Sequence, residues 1–382
     1  MSLDAVTLAQ ALIRRPSVTP ADAGALGVLE QALTSIGFHC RRMPFEGIEN
    51  LYARRGGAGP NLCFAGHTDV VPPGDPASWR HEPFAGTVSD GVLYGRGAVD
   101  MKGAVAAFVA AASRVVWGPE VKASLSLLIT GDEEGEALNG TKRVLEALAA
   151  EGERIDHCIV GEPTSASRVG DTVKIGRRGS LNALIRVQGV QGHVAYPDRA
   201  ANPIPPLLRV LGRLLARRLD EGGAGFQPSN LEVTTIDVGN SAANVIPETA
   251  VARLNIRFNT AHRGEDLARW IRGVCAEAAA EFGRPIEASV SISGEAFLTP
   301  RSAMTELIER VLHARFGTTP ELSTTGGTSD ARFISLYAPV VELGLCGASM
   351  HKVDEGAPTA DIAALAEVYA DLIAAYPALA HG

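Results

Sequence analysis

Lys122-Ala123-Ser124-Leu125-Ser126-Leu127-Leu128-Ile129-Thr130-Gly131-Asp132-Glu133-Glu134-Gly135 is the stretch from which the rest of the chain can be read. Residues 122–130 form a short apolar run that suits a buried strand, and acids follow directly at its end. Two adjacent carboxylates at a strand end suggest divided labour, with one holding a cation while the other moves a proton. A lone acidic loop from Asp132 to Glu136 is more often simply solvated, so the assignment depends on partners elsewhere. Four segments offer them: His67-Thr68-Asp69, Asp100, Glu162 in Gly161-Glu162-Pro163-Thr164, and His351. With Glu133 and Glu134 they outline a two-metal hydrolase.

On either side of this strand the periodicity alternates. Helical patterns at 3–14 and 21–36 lead to strands at 50–54 and 61–65. A helix at 102–116, the strand at 122–130, a helix at 141–150 and a strand at 157–160 follow. Alternation of this kind predicts an α/β sheet covered on both faces, with functional residues at the strand ends. His67, Glu133 and Glu162 each follow such a strand. After Arg178 the order changes to strand 180–188, helix 203–219, strands 231–238 and 250–258, helix 265–282 and strand 286–292. This β-α-β-β-α-β order predicts a ferredoxin-like α+β unit, inserted as a lid or dimerisation domain. The main domain resumes with helix 302–316, strand 340–343 and helix 361–376. The expected division is 1–178 and 294–382 for the catalytic domain and 179–293 for the insertion.

A chain of 382 residues exceeds one ordinary core, which agrees with two domains. The formal charge of −8 argues against a general nucleic-acid binder. The five cysteines are far apart, odd in number and free of C-x-x-C spacing, which predicts a reducing compartment rather than a disulfide framework or a thiolate zinc site. The first fifteen residues read as an amphipathic helix rather than a signal peptide. The uncharged stretch 103–113 falls well short of the ~20 residues a bilayer span requires. A cytoplasmic protein with no membrane partner is expected.

His67, Asp100, Glu134, Glu162 and His351 supply two imidazoles and three carboxylates without a thiolate, a mixture that suits zinc or cobalt at a catalytic site. If Asp100 bridges, each ion receives one histidine, one glutamate and a shared aspartate. Asp69, two positions after His67 in an extended segment, leans to the same side and can accept the other imidazole N–H. Gly95-Arg96-Gly97-Ala98-Val99-Asp100 has the outline of a dinucleotide loop but lacks its third glycine and follows no long strand. Its glycines more simply let the backbone turn Asp100 toward the metals, and Gly103 permits close packing of the helix that follows. Among the nine histidines, His39, His81, His157, His262, His313 and His381 lack the acidic strand-end context and are assigned structural or surface roles. His193, in Gln191-Gly192-His193-Val194-Ala195-Tyr196-Pro197, reads equally as a packed loop residue or as an oxyanion donor on a mobile lid.

These segments together resemble the dinuclear zinc amidohydrolase and exopeptidase family, which includes carboxypeptidases, aminoacylases and deacylases of N-acylated amino acids. The resemblance rests on Gly66-His67-Thr68-Asp69, Tyr94 to Gly97 continuing through Asp100-Met101-Lys102-Gly103, Gly131 to Gly135, Gly161 to Thr164, and His351-Lys352-Val353-Asp354-Glu355. Arg177-Arg178-Gly179-Ser180, Gly192 to Pro197 and Gly327-Thr328-Ser329-Asp330 look most like the desuccinylase branch. It implies a zinc-peptidase α/β domain with a ferredoxin-like dimerisation domain, two Zn2+ per subunit (Co2+ as an alternative) and a homodimer. By the same resemblance, His67 and Glu162 bind one ion, Glu134 and His351 the other, and Asp100 both. Glu133 matches the general base, Asp69 the histidine orienter, and His193 an oxyanion donor that reaches the opposite subunit.

The activity implied is hydrolysis of N-succinyl-LL-diaminopimelate in lysine biosynthesis, with a carboxylate and a free amine as products. Arg177, Arg178 and Arg257 offer forked donors to substrate carboxylates, and Ser180, Asn244 and Thr328 match positions that supply neutral hydrogen bonds. One departure is Gly347, where desuccinylases often carry asparagine four residues before the metal histidine. Another N-acyl-amino-acid deacylase, a dipeptidase and a noncatalytic metal-binding scaffold remain as alternatives. A scaffold has no need of a proton acceptor such as Glu133.

Overall fold

The computed structural model describes residues 2–57, 59–115, 117–118, 121–223 and 225–379. His381, Val116 at the end of the expected 102–116 helix, and Ala224 of the glycine-rich loop lie outside the described residues. The chain forms two units: Met1–Ile175 with Thr299–Ser323 and Ser329–Gly382, and Gly176–Leu298 with Thr324–Thr328.

An eight-stranded sheet organises the first unit. Its order across the sheet is His39–Arg42, Leu51–Gly56, Ser124–Thr130, Asn61–His67, His157–Val160, Val340–Glu342, Thr172–Lys174 and Glu321–Ser323. Asn61–His67 runs parallel to both Ser124–Thr130 and His157–Val160, and Val340–Glu342 runs parallel to His157–Val160. The carboxyl ends of these neighbouring strands therefore open on one edge, where α/β sheets place ligands. All seven residues of Asn61–His67 and of Ser124–Thr130 are buried, which explains why they read as continuous rather than alternating apolar runs.

The helix Lys102–Arg114 is buried on nearly every side, as its alanine-rich, all-round apolar surface requires. It packs against Ala5–Ile13 and Thr359–Leu379. Phe64 on the sheet stacks on Phe108 with centroids 4.4 Å apart, and Tyr369 meets both rings edge-on at 5.5 and 5.7 Å. Thr359–Leu379 is long and apolar enough by length and composition to cross a membrane. In the fold, however, its Ile362, Leu365, Val368, Tyr369, Leu372, Ile373 and Tyr376 are core residues. A small three-stranded sheet of Thr87–Ser89, Val92–Tyr94 and Gly356–Pro358 brings the loop before Asp100 alongside the turn after His351.

In the second unit, strands Gly179–Gln188, Asn230–Asp237, Thr249–Phe258 and Ile286–Gly294 alternate with helices Ile204–Leu215 and Gly264–Phe282 in the expected β-α-β-β-α-β order. Numbered in chain order, the strands lie 2-3-1-4 in an antiparallel sheet, the ferredoxin-like arrangement. Alternate side chains such as Leu181, Ile185, Ala252, Leu254 and Ile256 meet Leu207, Val210, Leu211 and Ile271 of the helices. The unit takes in more chain than 179–293. Arg177 pairs with Phe297 in a short antiparallel ladder, and Thr324 Oγ1 donates to Gly225 O at 2.7 Å, so Arg177, Arg178 and Thr328 belong with this unit. The edge strand His39–Arg42 and the short strands after Arg168 were not expected from sequence. They are only three or four residues long, too short to leave a clear apolar pattern.

Candidate active site

The first unit gathers seven of the expected site residues at one sheet edge. His67 ends its strand opposite Thr130, and the Thr68 N–H donates to Thr130 O at 3.0 Å, fixing the His67 segment beside the acidic turn. That turn is held by its own acids. Asp132 accepts the Leu138 and Asn139 N–H groups at 2.9 and 3.0 Å, leaving Glu133 and Glu134 half-buried. Glu162 stands two residues past Val160, after Gly161, where a Cβ would lie 2.5 Å from Phe64 Cζ. Asp100 closes a loop in which Gly97 has φ +87° and a Cβ would lie 2.8 Å from Val70 Cγ1, so glycine is required there. Gly103 is needed for contact, since its Cβ would meet Ala98 O at 2.4 Å. His351 sits at φ +61° on the turn that follows Gly347–Ser349.

The two oxygens of Asp100 face different imidazoles. Oδ1 lies 3.2 Å from His67 Nε2, and Oδ2 lies 3.2 Å from His351 Nε2. Glu162 Oε1 approaches His67 Nε2 to 3.7 Å, and Glu134 Oε1 approaches His351 Nε2 to 2.8 Å. His67, Asp100 and Glu162 thus present donor atoms within 4.8 Å of one another, as do Asp100, Glu134 and His351, with Asp100 common to both groups. His67, Glu133 and Glu134 form a third such group.

This arrangement fits a pair of divalent cations. Glu162 Oε1 is buried without a hydrogen-bond partner, an expensive state for a carboxylate unless a cation meets it. Among the described residues, no lysine or arginine pairs with Asp100, Glu133, Glu134 or Glu162. The donors are imidazole and carboxylate only, the set expected for zinc-type ions.

The protein's own charges are strained by this crowding. Burial pushes the Glu133 carboxyl up to about 8, reinforced by the negative charges of Asp330, Glu134 and Asp100. Burial likewise drives Glu162 well above the usual carboxylate range, again with Asp100 and Glu133 as neighbours. Burial disfavours a charged His67, yet the Asp100 hydrogen bond and surrounding acids raise it well above an ordinary histidine. Hydrogen bonds to Asp100 and Glu134 lift His351 to about 10. Bound cations reverse this logic by favouring bare carboxylates and neutral imidazoles.

Asp69 acts differently from the sequence expectation. The His67 Nδ1–H donates to the main-chain carbonyl of Asp69 at 2.8 Å, while the carboxylate is 3.8 Å away. That carboxylate accepts the Glu133 and Glu134 N–H groups at 3.3 and 3.0 Å. The carbonyl leaves Nε2 facing Asp100, and the side chain, turned toward the acidic loop, aligns the glutamates instead.

The remaining expected residues lie in the second unit. His193 is exposed on a two-stranded ladder opposite Val245, its Nδ1 accepting the Ala195 N–H at 3.1 Å, and Asn244 O accepts the Val194 N–H at 3.1 Å. Arg257 pairs across strands with Ser180, and the neighbouring Arg178 cation lowers its pKa further after burial. Arg178 donates to Asn230 Oδ1 at 3.0 Å while its Nε is buried without a partner. No carboxylate forms an ion pair with Arg178 or Arg257 among the described residues, which leaves a cationic patch suited to an acidic ligand. Arg177 donates to Thr325 O at 3.2 Å and so braces the loop that carries Thr328.

Three residues that the sequence reading left without roles stand close to the chemistry. Asp330 is buried and its charge acts on Glu133. Arg96 and Glu355 form a buried pair beneath Asp100. All three occur inside the quoted motifs, so position within a motif was the available signal. Elsewhere, His157 Nδ1 lies 3.1 Å from the Tyr376 hydroxyl and His262 Nε2 lies 2.9 Å from Asp220 Oδ2, both away from the cluster.

Comparison with known proteins adds a family and a fold. The pattern of Peptidase family M20/M25/M40 matches residues 63–375. The chain is 64% identical over 376 residues to a succinyl-diaminopimelate desuccinylase of Caulobacter sp., covering 98% of this chain and 97% of that protein. It is 60% identical over 369 residues to the succinyl-diaminopimelate desuccinylase of Maricaulis maris, covering 97% and 95%. The fold is also similar to the crystal structure of the M20 family metallo-carboxypeptidase Sso-CP2 from Sulfolobus solfataricus, with TM-score 0.80, 16% identity and coverage of 99% and 100%.

Proposed function

The chain belongs to peptidase family M20/M25/M40, and from that premise we propose that it hydrolyses N-succinyl-LL-diaminopimelate to succinate and LL-diaminopimelate, in lysine biosynthesis. The observation that carries the chemistry is Asp100, with one oxygen on each of two histidines. His67 and Glu162 would hold one ion, Glu134 and His351 the other, and Asp100 both. Zinc or cobalt held there would supply the acidity of a bound water and the polarisation of an acyl carbonyl. Glu133 takes the proton of the attacking water as the new C–O bond forms, then gives it to the amine nitrogen as the C–N bond breaks. Asp69 holds the backbone of Glu133 and Glu134 so that the two carboxylates keep separate tasks.

Recognition is assigned to the cations of the second unit. Arg177, Arg178 and Arg257 match the carboxylates of a succinylated diamino acid, with Ser180, Asn244 and Thr328 as neutral contacts. His193 is assigned to the oxyanion, supplied by the opposite subunit of a cytoplasmic homodimer. A panel of N-succinyl-LL-diaminopimelate, N-acetylornithine and a dipeptide tests the reading. The metal-loaded protein is expected to prefer the first in kcat/KM by at least about tenfold, which is ~1.4 kcal/mol of transition-state discrimination. Preference for either of the others contradicts the substrate assignment.

The site's charge state gives a pH prediction. Before metal binds, hydrogen bonds to Asp100 and Glu134 raise His351 to about 10, so it holds its proton at neutral pH. The surrounding acids, against the effect of burial, shift His67 in the same upward direction, and burial with neighbouring acids shifts Glu162 likewise. Ligation needs the deprotonated forms, so zinc uptake releases protons and affinity rises as pH rises through the neutral range. Calorimetric titration in two buffers of different ionisation enthalpy measures the release. Zinc uptake without proton release would contradict this assignment of ligands.

A further inference from the structure

Arg96 and Glu355 are charged residues buried against the site, and none of the chemistry above uses them directly. Glu355 is fully buried and both of its oxygens are engaged. Oε2 accepts from Arg96 Nη1 at 2.6 Å, while Oε1 accepts the consecutive N–H groups of Val99 and Asp100 at 2.9 and 3.1 Å. The guanidinium of Arg96 lies over the Trp79 ring at 5.2 Å. Its Nη1 also donates to Lys352 O at 3.3 Å, and its Nη2 reaches His351 O and Pro72 O, each at 3.5 Å. One ion pair therefore grips the backbone at both Asp100 and His351, the residues whose side chains meet at 3.2 Å.

The fold around this pair has other supports. The Gly95 N–H donates to the main-chain oxygen of Glu355 at 2.9 Å, and Gly356 pairs with Tyr94 in the small sheet. These contacts dock the His351 turn whatever side chain stands at position 355. A buried ion pair is also a weak source of net stability, because desolvation of both charges offsets their attraction. What the side chains add is direction: they fix the peptide from which Asp100 projects and the turn from which His351 projects.

We propose that Glu355 and Arg96 are positioning residues that set Asp100 and His351 at the spacing two divalent ions require. The inference rests on the two-ion reading of the site. Glu355→Gln keeps the size of the side chain but cannot present an oxygen to both the peptide N–H groups and Arg96. Its amide NH2 must face a donor on one side. Arg96→Lys keeps the charge and loses the fork that reaches several acceptors.

The test is Zn2+ titration of metal-free wild type, E355Q and R96K against a chromophoric chelator, with thermal melts with and without Zn2+. Wild type is expected to bind two ions. Both variants should bind both ions more weakly, by about 10–100-fold, the usual loss when a group that orients a ligand is removed. The weakening should affect the two ions together, because Asp100 is shared. The melting temperature of the metal-free variants should stay near that of wild type, while the increase on adding Zn2+ shrinks. In loaded enzyme, KM should hold while kcat falls. Wild-type zinc affinity in folded E355Q or R96K overturns the proposal, as does a lower metal-free melting temperature with an undiminished increase on adding Zn2+. If E355Q does not fold, R96K carries the same expectation and the same refutation. If wild type itself fails to take up two ions, the reading of the metal centre falls first and this inference with it.

Discussion

Glu133→Ala is expected to abolish nearly all turnover while leaving metal content close to that of wild type. The loss should be on the order of 10²–10⁴ in kcat, the usual contribution of a positioned general base. The expectation follows from geometry. Glu133 and Glu134 are consecutive, their N–H groups share the Asp69 carboxylate, and only Glu134 makes the short contact to His351, at 2.8 Å. Glu133 lies within 4.8 Å of His67 but makes no hydrogen bond to His67 or His351 among the described residues, and burial and neighbouring acids raise its affinity for a proton. Glu134→Ala should instead cost one of the two ions. Metal analysis beside steady-state kinetics separates these outcomes, and equal metal loss in the two variants would refute the division of labour.

Asp100→Ala is expected to have the largest effect on metal binding, with both ions lost together. Each oxygen of Asp100 serves a different histidine, and hydrogen bonds from His351 and His67 outweigh burial to hold the carboxyl well below the usual range. Removing it leaves His67 with Glu162 and His351 with Glu134, two half-sets of one imidazole and one carboxylate. Loss of an orienting partner alone costs about 10–100-fold in affinity, so loss of a shared ligand should exceed that for each ion. Titration of the variant with Zn2+ checks this. Retention of one tightly bound ion would show that Asp100 serves a single site.

The strand ends that position this chemistry were readable because buried parallel strands leave continuous apolar runs. Those before His67, Gly131 and Glu162 end within two residues of where the periodicity places them. The second unit was readable for a related reason, since its strands are covered on one face and alternate cleanly, as in Gly179–Gln188 and Thr249–Phe258. Side-chain direction was less accessible. Asp69 lies near His67 as its spacing implies, yet which of its oxygens takes the imidazole proton depends on the acidic loop 64 residues away in sequence from its carboxylate. The Arg96–Glu355 pair spans 259 positions, and nothing local in either segment announces the other. Arg177, Arg178 and Thr328 fall with the second unit through short pairings and loop contacts that carry no periodic signal.

The central claim is that two cations shared through Asp100 make this cluster a hydrolytic centre. The most direct measurement strips the protein with a chelator, restores Zn2+ in steps, and records bound metal and kcat with N-succinyl-LL-diaminopimelate at each step. The account predicts no turnover in the stripped protein, uptake saturating at two ions per chain, and full activity at saturation. Undiminished turnover in the stripped protein, or full activity with uptake that saturates at a single ion per chain, would contradict it.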